Sequence, residues 1–110
     1  MELFGEYIRN LRESRNLPLR KVAAFLDIDT SILSKIERGK RKIGKDMIIK
    51  IADYFSIDGD MLVEDYLSER IAEMLIDVEE YSGTLQKVDA KVVILKSKKT
   101  SQSEIVFKNE

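Results

Sequence analysis

The chain has 110 residues, 44% of them apolar and 35% charged, and a formal net charge of −1. That length suits one ordinary domain with a short appendage, and the composition supports an apolar core under a charged surface, which excludes an intrinsically disordered chain. Cys and His are both absent, which excludes disulfides, thiolate or imidazole metal sites and His-based general acid–base catalysis. Phe4, Ile8 and Leu11 fall at i, i+4 and i+7 and predict a first helix from about Leu3 to Arg15, with Asn16 suited to its exit. Pro18 stands at or near the start of a second helix that carries Val22, Ala23 and Leu26. Asp27-Ile28-Asp29 breaks the pattern, and Asp29 is expected to accept hydrogen bonds from the first free amides of a third helix, Thr30 to Arg38. Gly39 can end that helix in a left-handed conformation. A basic loop, Lys40 to Gly44, leads to a fourth helix from about Lys45 to Phe55 with Ile48, Ile51, Ala52 and Phe55 on one face. Ser56 to Gly59 is a turn, and a short helix around Met61 to Asp65 closes an N-terminal domain of residues 1–65.

Beyond it, Leu67, Ile71, Met74, Leu75 and Val78 mark another amphipathic helix, and Tyr81-Ser82-Gly83-Thr84 is a turn signal. Leu85, Val88, Val92 and Leu95 recur with the spacing of a narrow helical seam, while the β-branched run Val92-Val93-Ile94-Leu95 also suits a strand. Residues 66–96 are therefore expected to form a helical extension. Residues 97–110 are expected to form a flexible polar tail, in which Ile105-Val106-Phe107 has the character to pair or dock. The expected fold class is all-α. No apolar run approaches the ~20 residues a membrane span requires, and MELFGEY does not open like an export signal. The expectation is a cytoplasmic binding module, not an enzyme, with no metal, cofactor or membrane partner.

Net charge conceals a local asymmetry. Lys35, Arg38, Lys40, Arg41, Lys42, Lys45 and Lys50 face only Glu37 and Asp46 in their stretch of sequence. Asp58, Asp60, Glu64, Asp65, Glu69, Glu73, Asp77, Glu79 and Glu80 face only Arg70 in theirs. A charged partner senses the local field, which salt screens over about 8–10 Å, so a basic segment can attract nucleic acid while an acidic one keeps the chain soluble. The second and third helices are separated by only Asp27-Ile28-Asp29, which forces a steep crossing with the small Ala23 at the contact and Val22, Ile28, Leu33 and Ile36 around it. A helix presented this way can enter a major groove about 12 Å wide.

Leu11-Arg12-Glu13, Leu17 to Ile28, Leu33-Ser34-Lys35-Ile36-Glu37-Arg38-Gly39 and Ile51-Ala52-Asp53-Tyr54-Phe55-Ser56-Ile57 together resemble the phage-repressor and Cro type of helix-turn-helix protein, the XRE-like family. The resemblance runs in register from about Leu3 to Leu62. It implies a five-helix DNA-binding domain that usually works as a dimer on double-stranded DNA. It assigns Thr30, Ser31 and Lys35 to base edges: Ser and Thr donate or accept, and Lys can donate to guanine O6 and N7. Ile32 is expected to pack against the domain, the alternative being contact with a thymine methyl group. Arg38, Lys40, Arg41, Lys42 and Lys45 are assigned to the phosphate backbone, with Arg20 and Lys21 as further candidates. Arg12 and Glu37 take the places of a partly buried structural ion pair.

The sequence departs from the family where Pro18-Leu19 replaces a Ser or Thr cap and a Gln, where Asp27 replaces a turn glycine, and where Ile43-Gly44 replaces a proline. One recognition helix reads too few base pairs to select a genomic site, so a homodimer on two half-sites is the physical expectation. Leu67, Ile71, Leu75 and Val78, with Leu85, Val88, Val92 and Leu95, are the candidate dimer contacts; alternatively these stripes pack back on their own domain. The expected function is sequence-specific transcriptional regulation at a pseudo-palindromic operator, as in restriction-modification controllers or prophage regulators. The alternative is an antitoxin-like protein whose C-terminal half binds a protein partner while the N-terminal domain autoregulates.

Overall fold

The structure is a computed structural model that describes the backbone of residues 1–108 and the side chains of residues 1–100. In chain order the helices are α1 (Phe4–Ser14), α2 (Leu19–Leu26), α3 (Thr30–Glu37), α4 (Lys45–Phe55), α5 (Gly59–Met74) and α6 (Ser82–Lys108). No strand occurs among the described residues, so the fold is all-α. The chain divides into two units, Met1–Met74 and Leu75–Glu110.

In the first unit the apolar positions at helical spacing converge on one core, which includes Phe4, Ile8, Val22, Leu26, Leu33, Ile36, Ile48, Ile51, Phe55 and Leu62. Four helix exits share one device. Asn16, Asp27, Gly39 and Ser56 have φ of 54°, 57°, 70° and 56°. At each, two backbone amides turn back on the last helical turn, as when Lys40 N–H donates to Lys35 O (2.8 Å) and Gly39 N–H to Ile36 O (3.1 Å). This satisfies carbonyls that would otherwise lack partners, at the cost of a left-handed residue that is easy for Gly and strained for Ser.

The last helix of the unit is longer than the sequence predicts, and the boundary expected at residue 65 is overturned. Asp58 Oδ1 accepts the amides of Asp60 (2.9 Å) and Met61 (3.2 Å), a side-chain cap that starts α5. From there α5 runs unbroken to Met74. Tyr66, outside the expected domain, lies in the core with its ring edge-on to Phe4, centroids 5.0 Å apart. The expected amphipathic face of residues 67–78 is overturned too. Leu75 opens a turn, closed by Val78 N–H on Leu75 O at 3.0 Å, so neither Leu75 nor Val78 belongs to α5. Asp77, Glu79 and Glu80 would place negative charge at the negative end of a longer helix, which favours stopping there.

In the second unit α6 begins at Ser82 and continues to Lys108. Two expectations are corrected. Ser82-Gly83-Thr84 forms the first turn of the helix, not a connection, and residues 97–108 are helical where a flexible tail is expected. No Gly or Pro follows Gly83, and Lys, Gln and Glu are good helix formers, so nothing local interrupts the helix. Val92–Leu95 is helical as well, because a strand needs a partner strand and none is present among the described residues. Leu85, Val92 and Leu95 are exposed and Val88 half-buried. The side chains of Ile105-Val106-Phe107, expected to pair or dock, lie outside the described residues.

Candidate nucleic-acid interface

The turn between α2 and α3 is made by Asp27 in the left-handed region and closed by Ile28 N–H on Ala23 O at 3.0 Å. Ala23 is buried with Val22, Leu33 and Ile36, and Ile28 packs partly buried beside them. Leu33 and Ile36 therefore hold α3 from beneath. The opposite side exposes Thr30, Ser31 and Lys35. Ser34 shares that side at half-burial, a position sequence reasoning passed over although it lies four residues after Thr30. Ile32 packs against the core. The cap expected from Asp29 does not form: its side chain bonds no amide of α3, and its carbonyl instead accepts Ile32 N–H (3.0 Å) and Leu33 N–H (3.1 Å).

The C-terminal end of α3 is locked onto α1. Arg12 Nε donates to Glu37 Oε2 at 2.8 Å, Arg12 Nη2 to Glu37 Oε1 at 3.1 Å, and Arg12 Nη1 to Leu17 O at 2.8 Å. The fork matches the carboxylate with two parallel bonds, the strong form of this pairing. The hydrogen bonding of Arg12 to the Glu37 carboxylate raises the guanidinium above its ordinary pKa, outweighing the burial that opposes its charge. Two turns earlier on the same face, Gly5 is buried against the Ile36 and Glu37 carbonyls. A Cβ there would stand 2.7 Å from Ile36 O and closer still to Glu37 O. No motif marks Gly5, because a glycine in a helix reads only as weak propensity.

Beside α3, Arg20, Lys21, Arg38, Lys40, Arg41, Lys42 and Lys45 are all exposed. Among the described residues none of them pairs with a carboxylate within 4.0 Å; the ion pairs there are Arg9–Glu13, Arg12–Glu13, Arg12–Glu37 and Arg70–Glu73. Arg38 Nε donates to Ser34 O (3.3 Å), which lays its guanidinium along α3. Unpaired surface cations beside an exposed helix can displace counterions from a polyanion. The loop carrying Arg41 and Lys42 is tied at its start by Lys40 N–H on Lys35 O and at its end by Ile43 N–H on Tyr66 Oη, 2.9 Å. On the same helix as Tyr66, Glu69 Oε1 accepts Phe4 N–H at 2.7 Å and so caps α1 across the fold. The candidate dimer contacts Leu67 and Ile71 are exposed on α5. Among the described residues no helix is long and apolar enough to cross a membrane.

The family model described as helix-turn-helix matches residues 8–62. The HTH-type transcriptional repressor RghR of Bacillus subtilis is 34% identical over 93 residues, which cover 82% of this chain and 68% of the repressor. The HTH-type transcriptional regulator RghRB of the same organism is 40% identical over 50 residues, 46% of this chain and 36% of that regulator.

Proposed function

From the premise that the chain belongs to the helix-turn-helix family of DNA-binding transcriptional regulators, we propose that it is a cytoplasmic, sequence-specific repressor-type regulator acting as a homodimer on a pseudo-palindromic operator. The observation that supports this best is the two-sided character of α3. Leu33 and Ile36 are buried, while Thr30, Ser31 and Lys35 face solvent beside unpaired cations. In this reading Thr30, Ser31 and Lys35 meet base edges in the major groove. Arg20, Lys21, Arg38, Lys40, Arg41, Lys42 and Lys45 meet phosphates, fixing register and supplying the salt-dependent share of affinity.

Two half-sites centred ~34 Å apart would present α3 of each protomer to one face of the duplex. The exposed apolar positions Leu67 and Ile71 of α5, and Leu85, Val92 and Leu95 of α6, support association of two copies, which would remove apolar surface from water. Selection of binding sites from random duplex DNA tests the proposal. Enrichment of an inverted repeat with one-turn spacing is the expected result, and recovery of no consensus at low salt refutes it. Sedimentation of the chain alone and after co-purification separates the homodimer from an antitoxin-like complex, in which a second protein would stay bound in equal amount.

A further inference from the structure

We infer that Tyr66 is a positioning residue for DNA affinity: through its hydroxyl it holds the loop that carries Arg41 and Lys42 in the conformation that meets phosphate. This rests on the DNA-binding function proposed above, and it adds a residue of α5 to those that shape the interface. Between α3 and α4 the backbone follows no regular structure from Lys40 to Gly44. Lys40 N–H is bonded to Lys35 O (2.8 Å), which is part of the exit from α3. Gly44 O accepts Ile48 N–H (3.2 Å), which belongs to the start of α4. Between these, the single tertiary hydrogen bond to the loop's backbone among the described residues is Ile43 N–H to Tyr66 Oη, 2.9 Å.

Tyr66 is itself firmly placed. The residue is 8% exposed, and its ring packs edge-on against Phe4 at 5.0 Å and 80°. One turn further along α5, Glu69 bonds the amide of the same Phe4. The hydroxyl is therefore a fixed acceptor on the middle of a packed helix, and the loop is the softer partner. Pinning it matters because two exposed cations lie between the anchors. Without the second anchor, binding DNA would have to order the segment as well as neutralise phosphate, and that conformational entropy would be lost from the affinity. The bond acts on phosphate contact alone and on every sequence alike.

Tyr66→Phe removes the hydroxyl and keeps the ring. Affinity for duplex DNA, measured where both proteins are fully folded, is expected to fall about 3- to 10-fold, the factor that one neutral hydrogen bond represents. The loss should be equal for the selected operator and for unrelated duplex. It should vanish in an Arg41→Ala/Lys42→Ala background and persist in a Lys35→Ala background. A purely structural role would lower the melting temperature and leave this pattern of couplings absent. Amide exchange gives a readout independent of the variant's stability: Ile43 N–H is expected to be protected in the parent and to exchange faster than its neighbours in Tyr66→Phe. Equal affinity of Tyr66→Phe and parent overturns the inference, as does an unprotected Ile43 amide in the parent or a loss that survives removal of Arg41 and Lys42. Failure of the parent itself to bind duplex DNA at low salt overturns the function instead.

Discussion

Glu37→Gln should unfold the first unit far more readily than any surface change, because it strands the Arg12 charge. The side chains of Arg12 and Glu37 are 11% and 4% exposed, which places the pair among buried bridges, not surface pairs worth about 0–1 kcal/mol. Removing one partner of a buried pair costs about 3–5 kcal/mol. At roughly 0.05–0.15 kcal/mol per residue, a unit the size of Met1–Met74 has about 4–11 kcal/mol in total, so the loss is a large fraction of it. At about 4–8 °C per kcal/mol, the melting temperature should drop by about 12–40 °C. Arg12→Met should act similarly, and the double variant Arg12→Met/Glu37→Leu should be more stable than either single variant, since an apolar pair leaves no stranded charge. Urea unfolding followed by tyrosine fluorescence measures all three. Single losses below about 1 kcal/mol that simply add in the double variant would refute the reasoning. The pH dependence has a definite sign. Arg12 is raised in the folded state, so its contribution is complete below the ordinary Arg value and is lost only as pH rises through the raised one. The difference between parent and Glu37→Gln should therefore stay flat from neutrality to about pH 11.

Gly5→Ala drives a methyl group into the carbonyls of Ile36 and Glu37, which are backbone and cannot move without parting α1 from α3. A loss near 3 kcal/mol, the upper end of overpacking costs, should exceed the roughly 0.5–1 kcal/mol that Ala gains over Gly in a helix; a stabilised variant in thermal melts would contradict the close approach. Ser56→Gly should do the reverse, raising stability by about 1 kcal/mol by relieving the left-handed residue after α4, and an unchanged urea midpoint would count against it. Lys35→Ala should relax preference at one base position by ~1–3 kcal/mol, seen as a changed consensus in site selection. Arg41→Ala should weaken all duplexes alike and make the slope of log K against log salt shallower by about one, and an unchanged slope would reject its contact with phosphate.

The helix-turn-helix core was legible because its signals are local. The spacing of Phe4, Ile8, Val22, Leu26, Ile48 and Phe55 reports which side of each helix is buried, and these residues all lie in the core. Asn16 and Gly39 are marked as helix exits by residue type, Asp27 stands where the resemblance has a turn glycine, and all three adopt positive φ. Thr30, Ser31 and Lys35 are assigned to base edges by the resemblance, and all three are exposed.

Other features were not legible from apolar spacing. Asp29 and Asp58 look alike as caps, yet only Asp58 bonds the following amides, because the backbone turn before α5 brings its carboxylate over them. Hydrophobic spacing carried the predicted helix past Met74, but periodicity senses an apolar face and not the charge at a helix end, so it did not find the stop. The sequence by itself determined which faces of α1 to α4 are apolar and where all four end, since both depend on neighbours a few residues away. Only the tertiary structure decided that Gly5 meets the α3 carbonyls, that Glu69 caps α1 and that Tyr66 ties down the basic loop. Those contacts join residues 23 to 65 positions apart, and such approaches are set by how whole helices pack, a relation no local repeat in the chain encodes.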